Sequence, residues 1–198
     1  MSGAQLIMRR ANRWIQWARM FFLYREAFPS NERKPFRVIA AMQKKGKSDV
    51  WYFKTGGRFA GFASTVNGRG LVMIDYLAVS RKLRGQGLGS AMLEALKERY
   101  ADTGVFVEIE SVYEEADNTA ERIRRKKFYL SHDMTQMNVM ADVFGVRMEL
   151  LGWNCWVDFE EYRALYGEYN PMTLSHITFV QHPEAKEKDI QEEGACEA

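Results

Sequence analysis

The 198-residue sequence predicts a mixed α/β (α+β) fold, a mostly antiparallel sheet of about six or seven strands flanked by helices. Three observations predict it. Between Val50 and Val79, three β-rich runs are separated by Gly56-Gly57 and Asn67-Gly68, dipeptides suited to two-residue hairpin turns in which both central residues need positive φ. A glycine-rich stretch from Gly85 to Gly89 then opens directly into a segment of helical periodicity. After it, helical and strand patterns alternate, which implies a sheet covered by helices.

In chain order, the apolar and aromatic residues of Asn12–Phe28 predict a helix that Pro29 and Ser30 break. Arg19 and Arg25 interrupt its apolar run, so it lacks the long uninterrupted core of a secretory signal or a spanning helix. A helix packed on its own domain is expected, with a basic amphipathic helix lying on a membrane as the rival. A second helix begins at Pro35, a residue suited to a first helical turn, places Phe36, Ile39 and Ala40 at helical spacing, and stops at Gly46. The meander strands are Val50–Lys54, Arg58–Val66 and Leu71–Val79. A helix over Gly87–Tyr100 follows, with Leu88, Met92, Leu96 and Tyr100 on one stripe. Val105–Glu110 reads as a short buried strand and Ala120–Leu130 as a helix with a basic outer face. Strands at Met134–Met140 and Val146–Leu151, a short helix at Phe159–Tyr166 and a strand near Ser175–Gln181 complete the pattern.

This length fits one compact domain, expected over residues 1–182, with a charged, disordered tail over 183–198. A net charge of +2, from 28 basic and 26 acidic residues, lacks the basic excess of a dedicated nucleic-acid binder. Cys155 and Cys196 are far apart, with no CxxC and no nearby paired histidines, which excludes a disulfide framework and fits a reducing cytoplasm. His132, His176 and His182 show no metal-ligand spacing and read as surface or turn residues, so no metal is expected, while Trp153 and Trp156 read as core or pocket wall.

Chemistry concentrates in Leu77-Ala78-Val79-Ser80-Arg81-Lys82-Leu83-Arg84-Gly85-Gln86-Gly87-Leu88-Gly89-Ser90, a strand ending in a glycine turn that enters a helix. Glycines let successive N–H groups point into one concavity, and the helix start adds unpaired donors and its positive dipole end. Together these suit a phosphate or pyrophosphate. The segment has neither GxxxxGK[ST] nor GxGxxG. It reads [R/Q]-x-x-G-x-[G/A] through Arg84, Gly87 and Gly89. The plainer alternative is a capped helix with a flexible entry loop.

That string resembles the pyrophosphate loop of the GNAT superfamily of N-acetyltransferases. Arg124-Arg125-Lys126-Lys127-Phe128-Tyr129 resembles the family's RR-x-x-FY run, although Asp133-Met134 stands where the family has Gly-Phe. Val107-Glu108-Ile109-Glu110 resembles the strand whose first glutamate acts as base in some members, such as ribosomal-protein acetyltransferases. The run Phe28–Arg33 is also similar to bacterial members of unassigned substrate, and the likeness covers roughly residues 20 to 151.

The resemblance implies a GNAT-type sheet and direct attack of a substrate amine on the thioester of acetyl-CoA, the expected co-substrate. It implies that Leu77, Ala78 and Val79 pair with the pantetheine arm, with an oxyanion donor at Leu77 or Ala78. Arg84, Gly85, Gln86, Gly87, Leu88, Gly89 and Ser90 would hold the pyrophosphate, and Tyr129 would support the departing thiolate. Glu108 is the first candidate for the base and Glu110 the second, since their parity puts both on one strand face, where either could instead pair with Arg122, Arg124 or Arg125. Tyr129 could equally be a core aromatic, and Asp75 or Tyr76 could line the acceptor pocket. The expected partner is a small-molecule or peptide amine, without nucleic acid or stable membrane insertion, and a homodimer is a candidate. The competing readings are a non-catalytic acyl-CoA-binding module of the same fold and a membrane-surface adaptor.

Overall fold

The computed structural model describes residues 5–30, 33–169, 171–181 and 183. They form two compact units that divide between Val105 and Phe106. The predicted tail lies outside the described residues but for Pro183, as do Asn31, Glu32 and His182.

The first unit contains β1 (Leu6–Arg10), α1 (Trp14–Ala27), α2 (Phe36–Lys44), β2 (Ser48–Thr55), β3 (Arg58–Gly68), β4 (Leu71–Val79) and α3 (Leu88–Arg99). Its strands lie in the order β1-β2-β3-β4, each antiparallel to the next. β1 is a strand for which the sequence gives no signal, because only three apolar residues, Leu6 to Met8, precede Arg9 and Arg10 and they show no alternation. The β2–β3 turn falls on Gly56 and Gly57, as predicted, at φ 53° and 74°. The next turn does not fall on Asn67-Gly68. Those residues pair with Val72 and Leu71, and the left-handed positions are Arg69 and Gly70, at φ 56° and 77°. Asn67 is held in the strand instead: its amide donates to Asp49 Oδ2 at 2.8 Å, and its Oδ1 accepts from the Thr65 hydroxyl at 2.6 Å.

Here α1 buries Met20, Leu23 and Tyr24 in a core with Ile39, Val50, Phe62, Tyr76 and Ala78, so it does pack on its own unit. At the far end of α3, Tyr100 donates to Asp49 at 2.9 Å and accepts from the Trp51 indole at 3.0 Å. Each buried polar group there satisfies another, which avoids the cost of desolvating it unpaired.

The second unit contains most of β5 (Val105–Glu110), then α4 (Thr119–Leu130), β6 (Thr135–Val143), β7 (Val146–Trp153), α5 (Phe159–Tyr169) and β8 (Ile177–Val180). The strand order is β5-β7-β6-β8, with β7 and β8 both antiparallel to β6. Between Gln136 and Met140 the β6–β7 register slips, since these two oppose Leu151 and Glu149. Trp153 is half-buried, but Trp156 is 60% exposed and so belongs to neither core nor pocket wall. With eight strands, mostly antiparallel, and flanking helices, the molecule has the predicted mixed α/β fold with β1 added.

Candidate functional site

In the first unit, β4 ends at Val79 and a 3-10 turn over Arg81–Leu83 leads to the glycine stretch. Gly87 caps α3 in the left-handed region at φ 73°, and a Cβ built on it meets nothing within 4 Å. Any L-residue there is strained by its backbone rather than by lack of room. The Ala91 N–H bonds the Gly87 carbonyl at 3.1 Å, so the α3 ladder starts at that point. The N–H groups of Leu88, Gly89 and Ser90 therefore precede the first intrahelical bond, at the positive end of the helix dipole. No acidic residue stands in the first turn of α3, and residues 84–87 are exposed. A cradle of this kind, open and rich in donors, fits a pyrophosphate. The Arg84 guanidinium folds back to donate to the Val79 carbonyl at 3.2 Å, which ties the loop to the strand end.

Register separates the two oxyanion candidates. The Ser80 N–H bonds the Ala60 carbonyl of β3, and Ala78 stands opposite Phe62 on the same alternation. The Ala78 N–H therefore points at β3, whereas Leu77 and Val79 turn their N–H groups to the other edge of β4. Leu77 is the donor that β3 leaves available. Gly61, opposite Val79, allows this part of β3 to approach so closely, since a Cβ there would lie 2.3 Å from the Ala78 carbonyl oxygen.

Upstream, the β3–β4 register shifts so that Ser64 opposes Tyr76 and Thr65 opposes Ile74, leaving Asp75 as the extra residue of a bulge. At this bulge stand the two residues that the sequence offers as lining of the acceptor pocket. Both reach Lys34: Asp75 accepts from its Nζ at 2.8 Å, and the Tyr76 hydroxyl accepts from its N–H at 3.2 Å. The Tyr24 hydroxyl donates to the Lys34 carbonyl at 2.9 Å. Burial pushes the Tyr24 hydroxyl up to about 12 and raises Tyr76 further in the same direction. Lys34 carries no signal in the sequence, because its contacts run to Tyr24, Asp75 and Tyr76, which are 10, 41 and 42 residues away.

In the second unit, β5 separates the two glutamates by partner. The Glu110 carboxylate accepts from Arg122 at 2.9 Å, Arg125 at 3.3 Å and Asn118 at 3.2 Å, and so anchors α4. Glu108 is bound by tyrosines instead. Tyr162 donates to its Oε2 at 2.5 Å, and the Tyr166 hydroxyl lies 2.6 Å from each oxygen. Arg124, also named as a partner, pairs with Glu121 of its own helix at 3.7 Å. Lys126 pairs at 2.5 Å with Glu149, which is fully buried and also accepts the Val112 N–H at 2.8 Å.

Tyr129 lies on α4 at 9% exposure, and its ring meets Phe128 edge-on at 5.2 Å. Burial pushes its hydroxyl up to about 12, against a smaller lowering by Arg125. Among the described residues this hydroxyl makes no hydrogen bond. The turn after it holds Asp133 at φ 58°, with Met134 2% exposed and its N–H bonded to the Tyr129 carbonyl at 3.3 Å. Asp133-Met134 thus makes the left-handed turn and buried apolar anchor of a Schellman-type helix end. A hollow of about 290 Å³ lies beside the β6–β7 turn, lined by Asp142, Phe144 and His176, and contains none of the candidate residues.

The model of the acetyltransferase (GNAT) family matches residues 14–128. A Bacillus subtilis (strain 168) protein named as a putative acetyltransferase, YjbC, is 29% identical over 144 residues, covering 69% of this chain and 70% of that one. Among solved structures, a GNAT-family protein from Bacteroides thetaiotaomicron, also named as a putative acetyltransferase, superposes with a TM-score of 0.67 at 19% identity, covering 82% of this chain and 94% of that one. A Bacillus subtilis acetyltransferase in complex with CoA superposes with a TM-score of 0.58 at 14% identity, covering 76% of this chain and 99% of that one.

Proposed function

The chain belongs to the acetyltransferase (GNAT) family, and on that premise we propose that it transfers an acetyl group from acetyl-CoA to a primary amine by direct attack. The observation that carries this reading is the Arg84–Ser90 turn, where left-handed Gly87 presents the start of α3 to an anion. Coenzyme A in a solved structure of similar fold supports the choice of ligand. Acetyl-CoA supplies an activated acyl thioester, in which the C–S bond breaks as the C–N bond forms.

Each role falls to a residue of this chain. Arg84 to Ser90 hold the pyrophosphate, and Leu77 donates its outward N–H to the carbonyl oxygen as charge gathers there. Glu108 accepts the proton that the amine must lose, directly or through water. Tyr129 holds the departing sulfur. Burial pushes its hydroxyl up to about 12, above the ordinary range of a thiol, so complete proton transfer to the sulfur is uphill. Tyr129 therefore acts as a hydrogen-bond donor that tightens as the sulfur becomes negative.

The test is free-thiol release from acetyl-CoA with spermidine, kanamycin and an alanine-initiated hexapeptide, which represent polyamine, antibiotic and peptide acceptors. Thiol release that depends on one of these amines, with the acetylated amine found by mass spectrometry, is the expected result. Acetyl-CoA binding without thiol release in a wider amine series would instead make the chain a non-catalytic acyl-CoA-binding module.

A further inference from the structure

Glu108 is the group on which the proposed reaction depends for its proton, and the role inferred for its two tyrosine partners rests on that reading. Tyr162 and Tyr166 stand four apart on α5, so they share one helix face a turn apart. Their rings meet edge-on at 5.3 Å, and they are 0% and 7% exposed. Both hydroxyls converge on the single carboxylate of Glu108, at 2.5 and 2.6 Å. Neither tyrosine lies within residues 14–128, the stretch matched by the family. In the same unit Glu110 pairs with Arg122 and Arg125, Glu149 with Lys126, and Arg147 with Glu114.

We propose that Tyr162 and Tyr166 are positioning residues for the proton-transfer step, holding Glu108 ionised and fixed in one orientation to receive the amine's proton. Short O–H···O⁻ bonds favour the charged form of a carboxylate and fix its rotamer. The proton leaves the substrate nitrogen as its lone pair bonds the acyl carbon, and it ends on a Glu108 oxygen. The sulfur leaves with the pair from the broken C–S bond. Once Glu108 is protonated, its O–H needs an acceptor, and a tyrosine hydroxyl can reverse its bond to provide one. The pair thus keeps the base ready at working pH and gives it a partner in both protonation states.

Docking of α5 onto β5 alone would use the same bonds, so the test needs a readout that docking leaves unmoved. Two measurements on the full chain supply it, for wild type, Tyr162→Phe, Tyr166→Phe and Glu108→Gln. One is the ¹³C-carboxyl titration of Glu108, assigned by its loss in Glu108→Gln. The other is the pH profile of kcat/KM for acetyl-CoA with spermidine, kanamycin and the alanine-initiated hexapeptide. The wild-type carboxyl should titrate below the ordinary glutamate value of about 4.3. Each Phe variant should raise both that titration and the acid limb of the profile by about one unit, the scale of one charge-assisted bond, with acetyl-CoA affinity within about twofold.

A carboxyl titration that moves while the acid limb stays put would overturn the proposal, reducing the tyrosines to docking contacts. So would a titration that stays put in folded variants. Loss of the acid limb in Glu108→Gln, with no movement in either Phe variant, would remove the tyrosines and keep Glu108 as base. An acid limb retained in Glu108→Gln would remove the base itself and the proposal with it. If Tyr162→Phe fails to fold, Tyr166→Phe and the wild-type titration decide. If none of the three amines turns over, the titrations decide, and a wild-type value at or above about 4.3 overturns the assignment.

Discussion

At the scale of single residues, Tyr129 is the most exposed to test. Its ring is largely buried and its hydroxyl makes no hydrogen bond among the described residues, which leaves that donor available to a ligand. Tyr129→Phe keeps the ring and its contact with Phe128, so the fold and the affinity for acetyl-CoA should barely change. Turnover should fall about 10²-fold, the lower range for a positioned proton-transfer group. Steady-state kcat measured at saturating acetyl-CoA checks this, and wild-type turnover would return Tyr129 to a core aromatic. The resemblance could name Tyr129 and Glu108, since both sit in short motifs. It ranks Glu108 ahead of Glu110 without giving the partners of either. Their difference lies in which helix reaches them, Tyr162 and Tyr166 of α5 for one and Arg122 and Arg125 of α4 for the other.

At the scale of elements, period and turn chemistry made most of the fold legible. The meander, the helix after Gly87 and the buried strand Val105–Glu110 followed from alternation, glycine turns and helical spacing. What escaped was set by tertiary contacts. The hairpin turn moved to Arg69-Gly70 because Asp49 and Thr65 hold Asn67 in the strand, and the Asp75 bulge leaves no local signature. The helix end after Tyr129 can be tested at this scale. Asp133 sits at φ 58°, a conformation that asparagine, aspartate and glycine tolerate and branched residues do not. Asp133→Val should cost about 1–2 kcal/mol of stability, with Asp133→Gly much nearer wild type. Urea denaturation of the three proteins measures it, and equal stability of the Val and Gly variants would contradict the assigned turn.

At the scale of the whole molecule, buried tyrosines tie stability to alkaline pH. Tyr24, Tyr100 and Tyr129 are each pushed up to about 12 by burial, and Tyr76 is raised in the same direction. The folded state therefore keeps protons that the unfolded chain releases near pH 10. Their contribution is complete below about pH 10 and is lost as pH rises through about 12. Stability from urea denaturation should stay level with respect to these groups up to about pH 9.5 and then fall steadily. Tyrosine absorbance should show part of the tyrosines ionising only above about pH 11. Full ionisation near pH 10 with stability unchanged would contradict the burial described.

The claim on which everything else depends is that the Arg84–Ser90 turn binds the pyrophosphate of acetyl-CoA. Calorimetric titration of acetyl-CoA into wild type and Gly87→Glu tests it most directly, with circular dichroism confirming that the variant folds. Glutamate at this left-handed, open position puts a negative side chain at the entrance to α3, where the anion belongs. Wild type should bind, and the variant should lose at least tenfold in affinity. A folded Gly87→Glu protein that binds acetyl-CoA as tightly as wild type would contradict the claim.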